Sequence, residues 1–442
     1  MTNSRKIAID ILKLADSGEN INGHLASAVE RLTDSRDRAL LINIVEGTLR
    51  NRNYLENVLN NYLTMPLKKM SKTVQYILLS ASYQFIYLDK IPSHAVVNEA
   101  VKLTPQGLKK IVNAVLRNIS DHADELRVNE AKSNGTRDLA DFYSHPEWLI
   151  ERWINHYGLE ETIKLLKANN VPPKTTIRIN KRWVTRDALL TFLKNRDLEV
   201  KPTEYSRYGI TISSGSGNLT ELPEYSEGLF SVKGEASMLA VELLRAGRGK
   251  RGWDMAAGVG GKTTHLGEWT DDTGYILATD TSKARLRILE EEALRLGLTE
   301  GIEIKEHDAR TVDITETFDY ILLDAPCSGT GTLSKQADAR HKKSLENILE
   351  NALLQAELLD KAAASLKIDG ILLYVTCSLE PEENEEQIDK FLINHPNFTL
   401  CDLSEEKYIP ECCLSENKKY LKMFPHVHGT DGFFAAKLIK NQ

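Results

Sequence analysis

Two cysteines stand where a buried strand could end and present a thiol. Tyr374-Val-Thr376-Cys377-Ser378 closes one apolar run, and Asp324-Ala-Pro326-Cys327-Ser-Gly-Thr-Gly331 leaves another. Proline and two glycines hold the second segment in an irregular loop that exposes Asp324 and Cys327. Thiols are strong nucleophiles when they occupy polar, partly open sites. A lone cysteine is more often a small buried hydrophobe. Two at strand ends, each flanked by turn or hydroxyl residues, point to chemistry instead. Cys401, Cys412 and Cys413 lack such surroundings and read as packing residues. The five cysteines are odd in number, with no CxxC pair and no zinc spacing. No disulfide framework and no metal site are expected, and a reducing cytoplasm fits.

A third segment runs Asp254-Met-Ala256-Ala257-Gly258-Val259-Gly260-Gly261-Lys262-Thr-Thr-His265, between a short strand and a helix. Its small residues let a ligand approach the backbone, and the helix N-terminus offers unpaired N–H groups. Three readings stay open. Ala256 through Thr263 fits a relaxed phosphate loop, with Asp324 as a metal-holding acid. A nucleoside-type cofactor is the second: Asp280 ends the next strand, in the position of a ribose-binding acid. Asp308 ends the third strand and faces the adenine side in that reading. A bare turn without ligand is the third.

These residues need a scaffold. From about residue 236, apolar strands at 251–255, 275–280, 302–308, 318–324 and 370–377 alternate with helical stretches at 282–298 and near 338–367. Such alternation predicts βαβ units and a doubly wound, largely parallel α/β sheet. Ligand sites in these sheets lie at the carboxyl ends of the strands, and the fourth and fifth strands are usually neighbours. The two thiols are therefore expected in one cleft beside the cofactor. The runs YLKMF and GFFAAKLI predict an antiparallel hairpin at the sheet's edge.

Upstream, residues 4–130 repeat apolar positions at helical spacing, so an all-α domain is expected over 1–138. Residues 72–88 are apolar on nearly every side and read as its central helix. Thr104-Pro105-Gln106-Gly107 breaks the pattern. Residues 139–235 mix helix with the short β-like runs TTIRIN, LEVKPTEYS and YGITIS, an α+β connector with a loop at Gly215 and Gly217. The third domain spans 236–442.

The 442 residues carry a formal charge of −7, which taken alone argues against a nucleic-acid binder. The charge is not evenly spread. Residues 1–140 hold 19 Lys and Arg against 15 Asp and Glu, residues 141–240 hold 13 of each, and residues 241–442 hold 24 against 35. A basic front and an acidic back suggest a docking module joined to something else. Arg36, Arg38, Arg50, Arg52, Lys68, Lys69, Lys72, Lys109, Lys110 and Arg117 are candidates for phosphate contact. The acidic run Glu382–Glu386 reads as solvated surface. No apolar run approaches a membrane span, and the N-terminus has no apolar signal core, so secretion and membrane insertion are not expected.

Together, D-x-A-A-G-V-G-G-K-T-T-H, D-A-P-C-S-G-T-G and T-C-S-L-E-P-E-E-N-E resemble the S-adenosylmethionine-dependent RNA cytosine-5 methyltransferases. Residues 36–52, 85–101 and 111–119 resemble a NusB-like N-terminal domain. Tyr143-Ser-His-Pro-Glu-Trp148 and Phe424-Pro-His…Asp431-Gly-Phe-Phe extend the likeness over nearly the whole chain. This combination is similar to the Sun (RsmB) family of bacterial 16S rRNA methyltransferases. The resemblance implies S-adenosyl-L-methionine as cofactor, held by 256–262, Asp280, Asp308 and Asp324, and 16S rRNA as partner. It implies Cys377 as the nucleophile, Cys327 as the thiol that assists release, and Asp324 as the acid on the N3/N4 edge of the base. Lys262 supports the flipped base or the thiolate. Two positions depart from the family's usual C-A-A-P-G-G-K loop: Ala256 and Val259 stand where it has Cys and Pro. Val232-Lys-Gly-Glu-Ala-Ser-Met is a loose match to the family's glutamine-containing segment. Other substrates, such as tRNA, an ATPase, or a non-catalytic NusB-like adaptor are the alternatives.

Overall fold

Helical spacing over the first 170 residues is realised as helices, the first seven of which pack around one apolar core. The computed structural model describes all residues except 1–3, 18, 20, 129–130, 132, 215–217, 245, 271–272 and 315–316. The loop expected at Gly215 and Gly217 thus lies outside the described residues. Helices α1 (Ser4–Leu14), α2 (Ile21–Glu30), α3 (Ser35–Arg50), α4 (Arg52–Tyr62), α5 (Lys72–Tyr87), α6 (Ser93–Leu103) and α7 (Lys109–Asp121) share that core. α5 is its centre: every residue from Val74 to Ile86 is buried, as a helix apolar on all sides requires. α6 stops before Pro105, which has no N–H to give and disfavours helix in the residue before it. α8 (Ala123–Arg127), α9 (Thr136–Tyr143), α10 (Glu147–Tyr157) and α11 (Leu159–Asn169) follow.

The chain forms two compact units, Met1–Val171 with Ser334–Lys342, and Pro172–Leu333 with Lys343–Gln442. The nine-residue excursion in the first unit is anchored by Arg340, which is fully buried. Its guanidinium donates to the carbonyls of Arg50, at 3.1 Å, and Asn169, and to the Asn170 side chain at 2.6 Å.

The second unit begins with β1 (Thr175–Ile179), α12 (Arg186–Lys194), β2 (Glu199–Pro202), β3 (Gly209–Ser214), α13 (Pro223–Ser226) and β4 (Phe230–Val232). These strands pair antiparallel in the order β2-β3-β1-β4. Then come α14 (Glu235–Glu242), β5 (Arg251–Asp254), α15 (Gly261–Thr270), β6 (Tyr275–Asp280), α16 (Lys283–Arg295), β7 (Ile302–Glu306) and β8 (Phe318–Asp324). α17 (Leu345–Ser365), β9 (Leu366–Thr376), α18 (Glu385–Asn394), β10 (Phe398–Leu400), β11 (Tyr420–Met423) and β12 (Phe433–Lys440) complete the chain. β5 to β12 form one mixed sheet ordered β10-β12-β9-β8-β5-β6-β7, with β11 also on β12. β7, β6, β5, β8 and β9 run parallel, as the alternation predicts.

Strand order reverses at β5. The chain moves outward through β6 and β7, then returns to the other side of β5 as β8. Loops leaving β5 and β8 therefore diverge and open a crevice at their carboxyl ends. The expected hairpin of β11 and β12 is present, but β12 is not at the edge. It pairs with β9 and β10 as well, because Phe433–Leu438 is buried throughout and needs cover on both sides.

Candidate active site

β8 and β9 are adjacent and parallel, with Asp324 opposite Val375, so their loops emerge side by side. The Ala325 N–H donates to Val375 O at 2.9 Å, and the Gly331 N–H to Cys377 O at 2.9 Å. Cys327 Sγ and Cys377 Sγ lie 3.4 Å apart, in hydrogen-bond contact. That bond from Cys327 lowers the Cys377 thiol below its ordinary range, with help from the Lys262 charge. Burial and the Asp324 and Asp431 carboxylates oppose it. The same bond, burial and Glu383 push Cys327 well above its ordinary range. The pair is thus asymmetric: the Cys377 thiol is lowered and the Cys327 thiol raised.

Lys262, the second residue of α15, reaches across to Asp324 and forms an ion pair with it. Its ammonium also lies 5.2 Å from the centre of the Phe433 ring. Asp254 ends β5 below them, accepting from Thr263 Oγ1 at 2.7 Å. Its other oxygen is buried with no partner among the described residues, and burial raises its pKa to about 7.

Sequence reasoning put Glu382–Glu386 on the surface. Glu383 departs from this: it is fully buried beneath the thiols. It accepts from the Ser328 N–H at 2.7 Å, from the Ser328 and Ser378 hydroxyls, and from Gln355 Nε2 at 3.2 Å. Ser328 follows Cys327 and Ser378 follows Cys377, so one carboxylate grips both thiol-bearing loops. Asn384, also buried, accepts from Thr376 Oγ1 at 2.5 Å and donates to Ser378 O at 2.9 Å. Gly331 and Gly432 press together: the Gly432 N–H donates to Gly331 O at 2.8 Å, and a Cβ on Gly432 would lie 2.7 Å from Gly331 Cα.

The turn after β5 treats its glycines differently. Gly258 has φ +56°, and a Cβ there would meet nothing within 4 Å, so it faces open space. Gly260 has φ +82°, and its empty side is filled by Leu289. Gly261 is covered by the Lys233 side chain. Of the three, only Gly258 leaves its empty side to an incoming ligand. Ala256 and Ala257 enter this turn, Ala257 N–H donating to Thr279 O at 2.9 Å, and Val259 is half exposed at its crest. Asp280 holds the turn, accepting from the Gly258 N–H at 2.9 Å and from the Ser282 N–H at 2.8 Å. Asp308 lies beyond the end of β7, where the Arg310 guanidinium lowers its pKa. Arg178 on β1, fully buried, was not singled out from sequence. It donates to Gly261 O at 2.9 Å and pairs with Glu268 at 2.6 Å, fixing the start of α15.

The open turn, the N-terminus of α15, Asp280 at the end of β6 and Asp308 beyond β7 suit a nucleoside cofactor carrying a small charged tail. No group of three or more His, Cys, Asp or Glu residues among those described is arranged to hold a metal ion. No helix among them is long and apolar enough to cross a membrane. In the helical unit, Arg36, Lys68, Lys69, Lys72, Lys110 and Arg117 are exposed. Arg52 is engaged by Asp16 and Glu56. Arg50 is a correction: it is buried and donates to Ser334 O at 3.0 Å, so it is not available to a phosphate.

The family model described as 16S rRNA methyltransferase RsmB/F matches residues 241–439. The NusB family matches 2–121, and the RsmF/B-like ferredoxin-like domain matches 145–217. The probable ribosomal RNA small subunit methyltransferase B of Bacillus subtilis (strain 168) is 33% identical over 449 residues, 99% of each chain. That of Pectobacterium atrosepticum is 34% identical over 448 residues, again 99% of each. The crystal structure of PH0851 superposes with a TM-score of 0.81 at 26% identity, covering 99% of this chain and 98% of that one. NSun6 from Pyrococcus horikoshii with SFG gives 0.61 at 26% identity, covering 67% and 98%.

Proposed function

The chain belongs to the ribosomal RNA small subunit methyltransferase B family, and on that premise we propose that it methylates C5 of a cytosine in 16S rRNA, with Cys377 as nucleophile. The family depends on S-adenosylmethionine, which supplies an electrophilic methyl group on a sulfonium. The observation that carries the reading is the asymmetric thiol pair, 3.4 Å apart, beside the Lys262–Asp324 ion pair.

C5 of cytosine is a poor nucleophile. Addition of the Cys377 thiolate to C6 makes C5 enamine-like and splits one hard step into easier ones. Asp324 engages the N3/N4 edge, and a proton held at N3 draws electrons from C6 as the S–C6 bond forms. C5 would then take the methyl group as its bond to the sulfonium sulfur breaks. Transfer of the C5 proton to water re-forms the C5–C6 double bond, breaks the S–C6 bond and expels the Cys377 thiolate. Cys327, protonated and in contact, assists that departure. Lys262 holds Asp324 and lowers the Cys377 thiol. The target base must leave any stack to reach the pocket. Residues 256–262, Asp280, Asp308 and Asp324 hold the cofactor in this reading.

Residues 1–138 dock RNA through exposed Lys and Arg. The reaction belongs in the cytoplasm, where both thiols stay reduced. Family membership sets aside the phosphate-loop ATPase, and the paired thiols argue against a non-catalytic adaptor. Two variants test the chemistry. Cys377→Ala forms no covalent RNA adduct, and Cys327→Ala accumulates one. An adduct that persists in Cys377→Ala overturns the assignment. Bisulfite sequencing of rRNA and tRNA from a deletion strain identifies the target.

A further inference from the structure

Lys233 lies between β4 and α14, its N–H donating to Thr176 O on β1 at 3.0 Å. Its side chain lies across Gly261, the first residue of α15. A Cβ on Gly261 would collide with the Lys233 ammonium and sit 3.2 Å from Cε and 3.3 Å from Cδ. The absence of a side chain at Gly261 therefore admits a second lysine to the corner occupied by Lys262 and Asp324.

The two lysines differ in one respect. Lys262 is paired with Asp324. Lys233 has no ion pair and no side-chain hydrogen bond among the described residues. The charged groups facing it are Lys262 and Arg178, of like sign, and Asp324 and Asp254, of opposite sign. Asp324 is held by Lys262, Asp254 by Thr263, and the Arg178 charge by Glu268. An ammonium partly withdrawn from water without a partner is unfavourable. Burial first, then Lys262, lowers its pKa to about 7. An arriving anion would restore its charge.

We propose that Lys233 is a ligand-binding residue that takes an anionic oxygen of one substrate, either the amino-acid carboxylate of S-adenosylmethionine or the phosphate beside the target nucleotide. Both substrates carry such an oxygen, and a flexible ammonium is a point-charge donor suited to either. The proposal rests on the chain being an S-adenosylmethionine-dependent RNA methyltransferase. It does not depend on which atom of the base is methylated, since its test reads binding.

The test compares the full-length protein with Lys233→Met and Lys233→Arg. Titration calorimetry uses S-adenosylhomocysteine and 5′-methylthioadenosine, which lacks the amino-acid part, and a 16S rRNA transcript serves as the RNA probe. If the carboxylate is the ligand, Lys233→Met weakens S-adenosylhomocysteine roughly 10-fold or more, the effect of losing a charge-assisted hydrogen bond. Methylthioadenosine binding stays unchanged, and Lys233→Arg recovers most of the loss. If the phosphate is the ligand, both adenosine ligands bind as before. RNA binding then falls and its log–log salt slope shrinks by about one. Unchanged binding of all three overturns the proposal. So does an equal loss for both adenosine ligands, which reports a disturbed turn instead of a lost anion contact.

Discussion

Glu383→Ala tests whether one buried carboxylate holds the two thiols together. In the wild-type protein it accepts from the Ser328 N–H, the Ser328 and Ser378 hydroxyls and Gln355 Nε2, and none of it reaches solvent. Each buried polar group left unpaired costs about 1–3 kcal/mol. The loss is less than four such penalties, because Ser328 Oγ and Ser378 Oγ are 3.1 Å apart and can bond to each other. Gln355 Nε2 keeps its bond to Pro326 O at 2.8 Å, so the Ser328 N–H alone is stranded, which amounts to roughly 1–3 kcal/mol. Burial also raises the Glu383 pKa, so its ionised form is itself disfavoured and part of that cost returns on deletion. About 1–2 kcal/mol remains, a fall in melting temperature of roughly 2–8 °C for a unit of this size. The rate should fall further than stability. Ser328 and Ser378 each adjoin a cysteine, and a displacement of about 1 Å at reacting groups costs ~10²-fold. Single-turnover methyl transfer and thermal melting read the two effects, with Glu383→Gln as the shape-preserving control expected to lie between. If Glu383→Ala melts within about 1 °C of wild type and transfers methyl within threefold of its rate, the clamp is not what joins the loops.

Other perturbations follow from the same geometry. Cys377 is lowered by Cys327 and Lys262, so adduct formation rises with pH and levels off below the ordinary thiol range; Lys262→Met moves that limb to higher pH in rapid-quench assays. Asp254 titrates at about 7 in the folded chain against 3.8 for the free group, so the folded state keeps a proton that the unfolded state has lost. Wild-type stability therefore declines as pH rises from about 4 to 7 on account of this group, and Asp254→Asn, which has no proton to lose, melts increasingly above wild type across that window. Gly432→Ala drives a methyl group into Gly331, which donates to the Cys377 carbonyl, so adduct yield should fall sharply even in preparations that stay folded by circular dichroism.

What was legible in the sequence was local. Strand ends, the turn after β5 and the two cysteine loops each announce themselves within about ten residues, and sheet topology then brings Cys327 to Cys377. What was hidden depends on partners far along the chain. Glu383 sits in an acidic run, and carboxylates are almost never fully buried unless paired. Its partner Ser328 lies 55 residues away, so nothing nearby marked it as interior. Arg178 grips α15 from a different sheet, 90 residues before its ion-pair partner Glu268. The glycines show the limit most clearly. Gly258, Gly260 and Gly261 are chemically identical in the sequence, yet one faces open space, one is filled by Leu289 and one by Lys233. A glycine-rich turn states that something approaches the backbone closely. Whether that is a ligand or the protein's own side chain is decided by elements folded from elsewhere. At Gly261 it is both, if the lysine lying there carries the substrate's anion.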